Sequence, residues 1–204
     1  MVRLVQLTFR YGTLPEELSR VTMVLILKGS GEYRGIGVVE VTWKVCAAVV
    51  NCRLKRSVKL PDALHVFRKG RVIETATLEA NLDKQLVRLA HKPIFQVFLY
   101  VRKVYDSLYR GWCLEILGGY GLGLNMARLL TKYWDQHRIV TKLGKFLGKE
   151  FWTGRGLMQT DPVSPMIFNI VMDAVVRALF DVVCGPQEAQ NGLGWASGER
   201  NLVF

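Results

Sequence analysis

Between Ser164 and Phe180 the chain is almost wholly apolar, broken only by Asn169, Asp173 and Arg177 at four-residue spacing, a stripe that Asp181 continues. Ser164-Pro165 is a helix-start signature, with Ser as N-cap and Pro at the first helical position. A helix that is apolar around most of its circumference has to be wrapped by the rest of its chain. The 204 residues are half hydrophobic and about a fifth charged, enough to build such a core in one domain or two small ones. The longest unbroken apolar run, Val45 to Val50, has six residues, far short of a membrane span. Arg3 and Arg10 interrupt the N-terminus, which has no signal-peptide core.

Charge narrows the partners. Lys and Arg number 28 against 17 Asp and Glu, a formal net charge of +11. That excess points to a polyanion, nucleic acid or an anionic membrane surface, and charge alone fits a solvated basic surface equally well. The excess is densest in residues 53–71, where Arg53, Lys55, Arg56, Lys59, Arg68, Lys69 and Arg71 face one acid, Asp62. Cys46, Cys52, Cys113 and Cys184 form no CxxC pair and lie far in sequence from His65, His91 and His137. This argues against a structural zinc site and a disulfide scaffold, and it predicts reduced cysteines in an intracellular protein.

Periodicity places the elements. Val21 to Leu27 predicts a buried strand ending in a turn at Lys28-Gly29-Ser30-Gly31. Val38, Val41, Val45, Cys46, Val49 and Val50 predict an amphipathic helix over 38–54, although their β-branching also suits a strand. Leu78, Leu82, Leu86 and Leu89 mark another helix, and Ile94 to Val101 reads as a central strand with Tyr100 near its end. Leu122 through Trp134 gives a one-faced helix, so Trp134, and with it Trp152, is expected in the core. The polar, glycine-rich stretch 185–201 ends in Leu202-Val203-Phe204, which reads as the start of a strand and hence suggests a fragment.

Four segments carry chemistry. They are Leu27-Lys28 with Tyr33-Arg34-Gly35-Ile36-Gly37; Leu64 through Arg71; Phe98 through Asp106; and Arg155-Gly156-Leu157-Met158-Gln159-Thr160-Asp161-Pro162-Val163-Ser164-Pro165 with Phe168-Asn169. In order and spacing this series resembles the reverse transcriptase domain of group II introns and non-LTR retrotransposons, over about residues 21–204. The resemblance implies an α+β fold, the fingers and partial palm of a right-hand polymerase. It divides the chain into 1–93 (N-terminal segment and fingers), 94–118 (first palm motif), 119–150 (a connection) and 151–204 (incomplete palm). The implied activity is RNA-directed DNA synthesis, a nucleotidyl transfer on an RNA template and a DNA primer, with no membrane partner.

That reaction uses two Mg²⁺ ions held by carboxylates. The resemblance puts one carboxylate where this chain has Tyr100, and two in a Tyr-x-Asp-Asp motif expected just past Phe204. A neutral phenol does not replace a carboxylate as a Mg²⁺ ligand. The expectation is therefore a catalytically inactive domain with no metal site or cofactor as given, Mg²⁺ belonging to the intact family. The resemblance further implies triphosphate contacts by Lys28 and Arg34, a sugar-selecting aromatic at Tyr105, and a nucleotide or template contact by Gln159. Each has a plain structural counterpart: a charged turn for the cations, a core tyrosine for Tyr105. Asp106 is expected to cap the helix that follows, and Asp161 to shape a turn. Thr160 stands where the family has Gly, and a β-branched residue disfavours positive φ. Arg53, Arg56, Lys59, Arg68 and Arg71 are the candidate nucleic-acid contacts. The alternative to an inactive polymerase domain is a non-catalytic nucleic-acid-binding protein derived from a retroelement.

Overall fold

The β-branched and aliphatic run at Arg20–Leu27 forms β1, and Tyr33–Val39 (β2) folds back on it antiparallel. Arg138–Leu143 (β3) lies parallel to β1, and Phe146–Trp152 (β4) closes a second hairpin, giving one mixed four-stranded sheet of order β2-β1-β3-β4. This computed structural model describes residues 2–29, 31–62, 64–93, 98 and 100–184, with the backbone alone over 180–184. Within them are seven α-helices: α1 (Val2–Tyr11), α2 (Val41–Ser57), α3 (Ile73–Leu89), α4 (Val104–Ser107), α5 (Arg110–Gly119), α6 (Leu124–Asp135) and α7 (Ser164–Cys184).

The chain divides into two units, Met1–Val58 with Lys103–Phe168, and Lys59–Arg102 with Asn169–Phe204. The first holds the whole sheet. Strand register sets Val39, Val21 and Ile139 in one row on its inner face, and all three are buried. The residues of α2 at helical spacing (Trp43, Cys46, Ala47, Val50 and Leu54) join Leu129, Leu130 and Tyr133 of α6 in the buried core. The Trp43 and Tyr133 rings stack 3.5 Å apart and 10° from parallel. Fully burying a Leu or Val stabilises by about 1.5–3 kcal/mol, so this cluster dominates the unit's stability.

The second unit buries Leu64, Ile170, Val171 and Val176 and has polar contacts around a short loop. His65, 4% exposed, sits between Thr75 Oγ1 and Glu79 Oε2, each 3.0 Å away. The Asn169 amide donates to the Val66 carbonyl at 2.7 Å, and Arg177 pairs with buried Asp173 one turn away at 3.1 Å. The polar stripe of α7 thus turns inward at Asn169 and Asp173, while Val175 and Leu179 face outward.

Several elements depart from expectation. The helix predicted over 38–54 starts at Val41, because Val38 and Val39 pair with Thr22 and Val21 in the sheet. Trp152 is 62% exposed, not core: it lies on the outermost strand, opposite Arg138. In the apolar run at 94–101, Phe98, Tyr100 and Val101 belong to no strand and are exposed; the remaining residues, 94–97 and 99, lie outside the described ones, as do 185–204. A strand needs a partner for its backbone groups, and the four-stranded sheet supplies none to the described residues of this run. The helix predicted from Leu78, Leu82, Leu86 and Leu89 exists as α3, yet all four are exposed. Cys46, Cys52 and Cys113 are free thiols. Among the described residues no helix is long and apolar enough to cross a membrane.

Candidate functional site

The third and fourth motif segments meet in the first unit. Leu157 N–H donates to the Tyr105 carbonyl and Gly156 N–H to the Leu108 carbonyl, both at 2.8 Å, so the loop after β4 runs against α4 as a short ladder. Gly156 makes the approach feasible. Its φ is 88°, and a Cβ there would lie 2.9 Å from the Asp106 carbonyl oxygen. Arg110, at the start of α5, fixes the same loop: its guanidinium donates to Gly156 O (2.9 Å), to the Thr153 hydroxyl (2.9 Å) and carbonyl, and to Trp134 O (3.3 Å). Burial lowers its pKa, and carbonyl dipoles do for this cation what a carboxylate does elsewhere.

Past Leu157 the loop is tied to the sheet and to α2. Met158 lies directly on Gly37 of β2, where a Cβ would collide with its sulfur. The Thr160 hydroxyl donates to the Gly37 carbonyl. Thr160 is not among the non-glycine residues with positive φ, which are Phe67, His91 and Lys103, so the predicted backbone conflict does not arise. Asp161 is 2% exposed, and both its oxygens accept: Oδ2 from the Trp43 indole N–H at 2.8 Å, Oδ1 from Val163 N–H at 3.1 Å. The turn role expected of Asp161 holds, and the bond to Trp43 adds a cross-link between segments 118 residues apart. Burial pushes its carboxyl up to about 6 against the two hydrogen bonds. Beyond Trp43 the stack continues through Tyr133 to His137, whose ring lies 4.9 Å on. Burial, then Arg110, lowers His137 to about 4, so it is neutral at physiological pH.

The candidate residues are arranged unevenly around this loop. Tyr105 is half-buried and stacks on Phe168 at 5.1 Å; burial pushes its hydroxyl up to about 12. Gln159 is exposed, held between pinned Met158 and Thr160. Lys28 and Arg34 are exposed on the β1–β2 hairpin, without an ion pair among the described residues, and Arg34 lies on the sheet face opposite Gly37. Tyr100, 89% exposed, belongs to the second unit, whereas Gln159 and Asp161 belong to the first. Asp106 lies inside α4 and is exposed; the N-cap of the following helix is Tyr109, so the capping expectation does not hold. Among the basic candidates, Arg56 and Lys59 are exposed and Arg53 lies 4.8 Å over the Phe9 ring. Arg71 instead pairs with Asp62 (2.8 Å) and Glu79 (3.3 Å), and Arg68 with Asp62 (3.6 Å) and two carbonyls.

No protein-family model matches the chain. Curated proteins do. A Pol polyprotein from the type-1 retrotransposable element R2 of Nasonia vitripennis is 32% identical over 108 residues, 53% of this chain and 10% of that protein. One from the type-2 element R2DM of Drosophila melanogaster is 25% identical over 187 residues, 88% of this chain and 17% of the relative. One from R2 of Popillia japonica is 22% identical over 206 residues, 97% of this chain and 28% of the relative.

The chain is similar to retrotransposon Pol polyproteins. It spans between 10% and 28% of the length of these relatives.

The residues that assemble the loop were not evident from sequence. The stripe Val38, Val41, Val45, Cys46, Val49 and Val50 passes Trp43 by: of its members only Cys46 and Val50 are buried, Val38, Val41 and Val45 are exposed, and the buried face of α2 is Trp43, Cys46, Ala47, Val50 and Leu54. The bond from Trp43 to Asp161 has no sequence signal, and neither does the role of Arg110.

Proposed function

We propose that this chain is a reverse transcriptase-like domain, fingers and part of the palm of a right-hand polymerase, that binds nucleic acid without adding nucleotides. The observation that carries this reading is the backbone ladder from Tyr105 and Leu108 to Leu157 and Gly156. It joins two of the four segments on which the resemblance rests, about fifty residues apart in sequence. The similarity to R2 Pol polyproteins, named as retrovirus-related, supports it, and so does the net charge of +11.

Catalysis is a different matter. The family reaction calls for Mg²⁺, and the side chains present do not fit it. Tyr100 offers a neutral phenol, and both oxygens of Asp161 are occupied inside the core. No group of three His, Cys, Asp or Glu converges among the described residues. In this reading Gln159 and Tyr105 retain a nucleotide-facing loop, Lys28 and Arg34 provide anion contacts, and an RNA template with a DNA primer is the ligand.

Primer extension tests the activity: with Mg²⁺, deoxynucleotides and an RNA template, neither the chain nor Tyr100→Asp yields product. Extension by the unmodified chain, abolished by EDTA and absent from a mock purification, overturns the inactive reading.

A further inference from the structure

The sheet is apolar on both faces, and among the described residues only one is covered. The inner face carries Val21, Val39 and Ile139 into the core. Register fixes the outer face as well, where Val24 is level with Ile36 and Lys142, and Thr22 with Val38 and Val140. Ile26, Val38 and Leu147 stand there 49%, 48% and 68% exposed. A parallel strand pair such as β1 and β3 is ordinarily buried on both sides, so an open face of this composition calls for a partner layer.

Charge says which partner. Arg20, Arg34 and Lys142 share the outer face, are exposed, and have no ion pair among the described residues. Its acid, Glu150, is engaged by Arg138 at 3.5 Å. A second copy of this face would set these like charges against one another. Trp152 lies in the outermost row opposite Arg138, whose guanidinium is 5.8 Å from its ring centre and is also held by Glu16. This fixes an exposed aromatic plane beside a cation, on a sheet with further cations one to three strands away.

We infer that this outer face docks single-stranded nucleic acid, with a base stacked on Trp152 and phosphates along Arg20, Arg34 and Lys142. Unpaired bases offer both faces to an aromatic ring, whereas a duplex buries them, so the surface selects single strands. The inference rests on the proposed nucleic-acid binding and assigns it a surface opposite the Gly37–Met158 loop.

The test is fluorescence anisotropy of the full chain with a labelled 20-nucleotide oligo-dT and oligo-U across a salt series. Arg20→Glu with Lys142→Glu should weaken binding at least tenfold and reduce the log–log salt slope by about 1.4. Trp152→Ala should weaken it roughly tenfold at unchanged slope, and Trp152→Phe should restore most of the loss. Circular dichroism and thermal unfolding check that the variants are folded. If the wild type binds and only Arg56→Glu with Lys59→Glu weakens it, the outer-face site is wrong while nucleic-acid binding stands. If the wild type binds no oligonucleotide at low salt, both fail. Competition by polyglutamate as strong as by oligo-dT, or a duplex bound as tightly as the single strand, overturns the assignment in favour of a general anion surface.

Discussion

Asp161 is buried without a cation among its hydrogen-bond partners, and this sets a pH signature. Its carboxyl titrates at about 6 against an ordinary 3.8, so between those values the folded chain holds a proton that the unfolded chain has released. Its contribution is therefore full below pH 3.8 and lost as pH rises through 6, by about 3 kcal/mol. His137 works in the other direction, at about 4 instead of 6.5, and costs stability as pH falls from 6.5 through 4. Tyr133 between them stays protonated, its pKa raised by burial and then by Asp161, and Arg110 stays charged. The wild type should show little pH dependence of stability between pH 4 and 6. Asp161→Asn should leave stability rising with pH there, and His137→Gln should leave it falling. Urea midpoints at pH 4, 5, 6 and 7 measure both slopes. Gly156→Ala should destabilise by more than about 1 kcal/mol, because it combines a φ of 88° with a Cβ 2.9 Å from a backbone oxygen. A melting temperature within a degree of wild type would contradict that geometry.

Elements of similar sequence pattern carry very different loads. α6 and α3 both show leucines at helical spacing, yet Leu129 and Leu130 of α6 are fully buried while α3 has no buried residue. Leu129→Ala should cost about 2–5 kcal/mol. Leu82→Gln or Leu86→Gln should stay within about 0.5 kcal/mol. Denaturant titration of these variants separates the two helices, and a large loss at Leu82 would place α3 in a core. The loop at 153–163 is an element of another kind. It has no regular structure and is tied to α4, α5, β2 and α2 by Leu157, Arg110, Thr160 and Asp161. Thr160→Val, which keeps the shape and deletes the donor to Gly37, should cost about 1 kcal/mol.

Across the whole chain the net charge of +11 is not spread evenly between free and engaged cations. Arg68 and Arg71 are bound into the network of Asp62 and Glu79, whereas Arg56 and Lys59 are open to solvent. Oligonucleotide affinity should therefore fall steeply with salt. Arg56→Glu with Lys59→Glu should flatten the slope by up to about 1.4 on single strands without changing the melting temperature. Arg71→Glu should instead lower the melting temperature, because it sets a carboxylate against Asp62 and Glu79. Anisotropy and melting curves on the same preparations distinguish a binding cation from a structural one.

Local signals were enough to reveal β1, from its β-branched and aliphatic run, α6, from its one-faced helical spacing, and the start of α7, from the Ser164-Pro165 cap signature, although β1 is buried only at Val21 and not along its length. The relation among the motif segments was legible too, in their order and spacing. Tertiary contact governed the remainder. Val38 and Val39 suit a helix or a strand, and the open edge of β1 decided for the strand. Trp152 and Trp134 look alike in sequence, and only the position of β4 at the sheet edge exposes one while α6 buries the other. Asp161 reads as a turn residue because its bond to Val163 is local. Its second bond, to Trp43, spans 118 residues, and no periodic signal reaches across such a gap. Arg68 and Arg71 read as free cations because Glu79, the acid that engages Arg71 alongside Asp62, arrives from a helix folded back onto the basic tract.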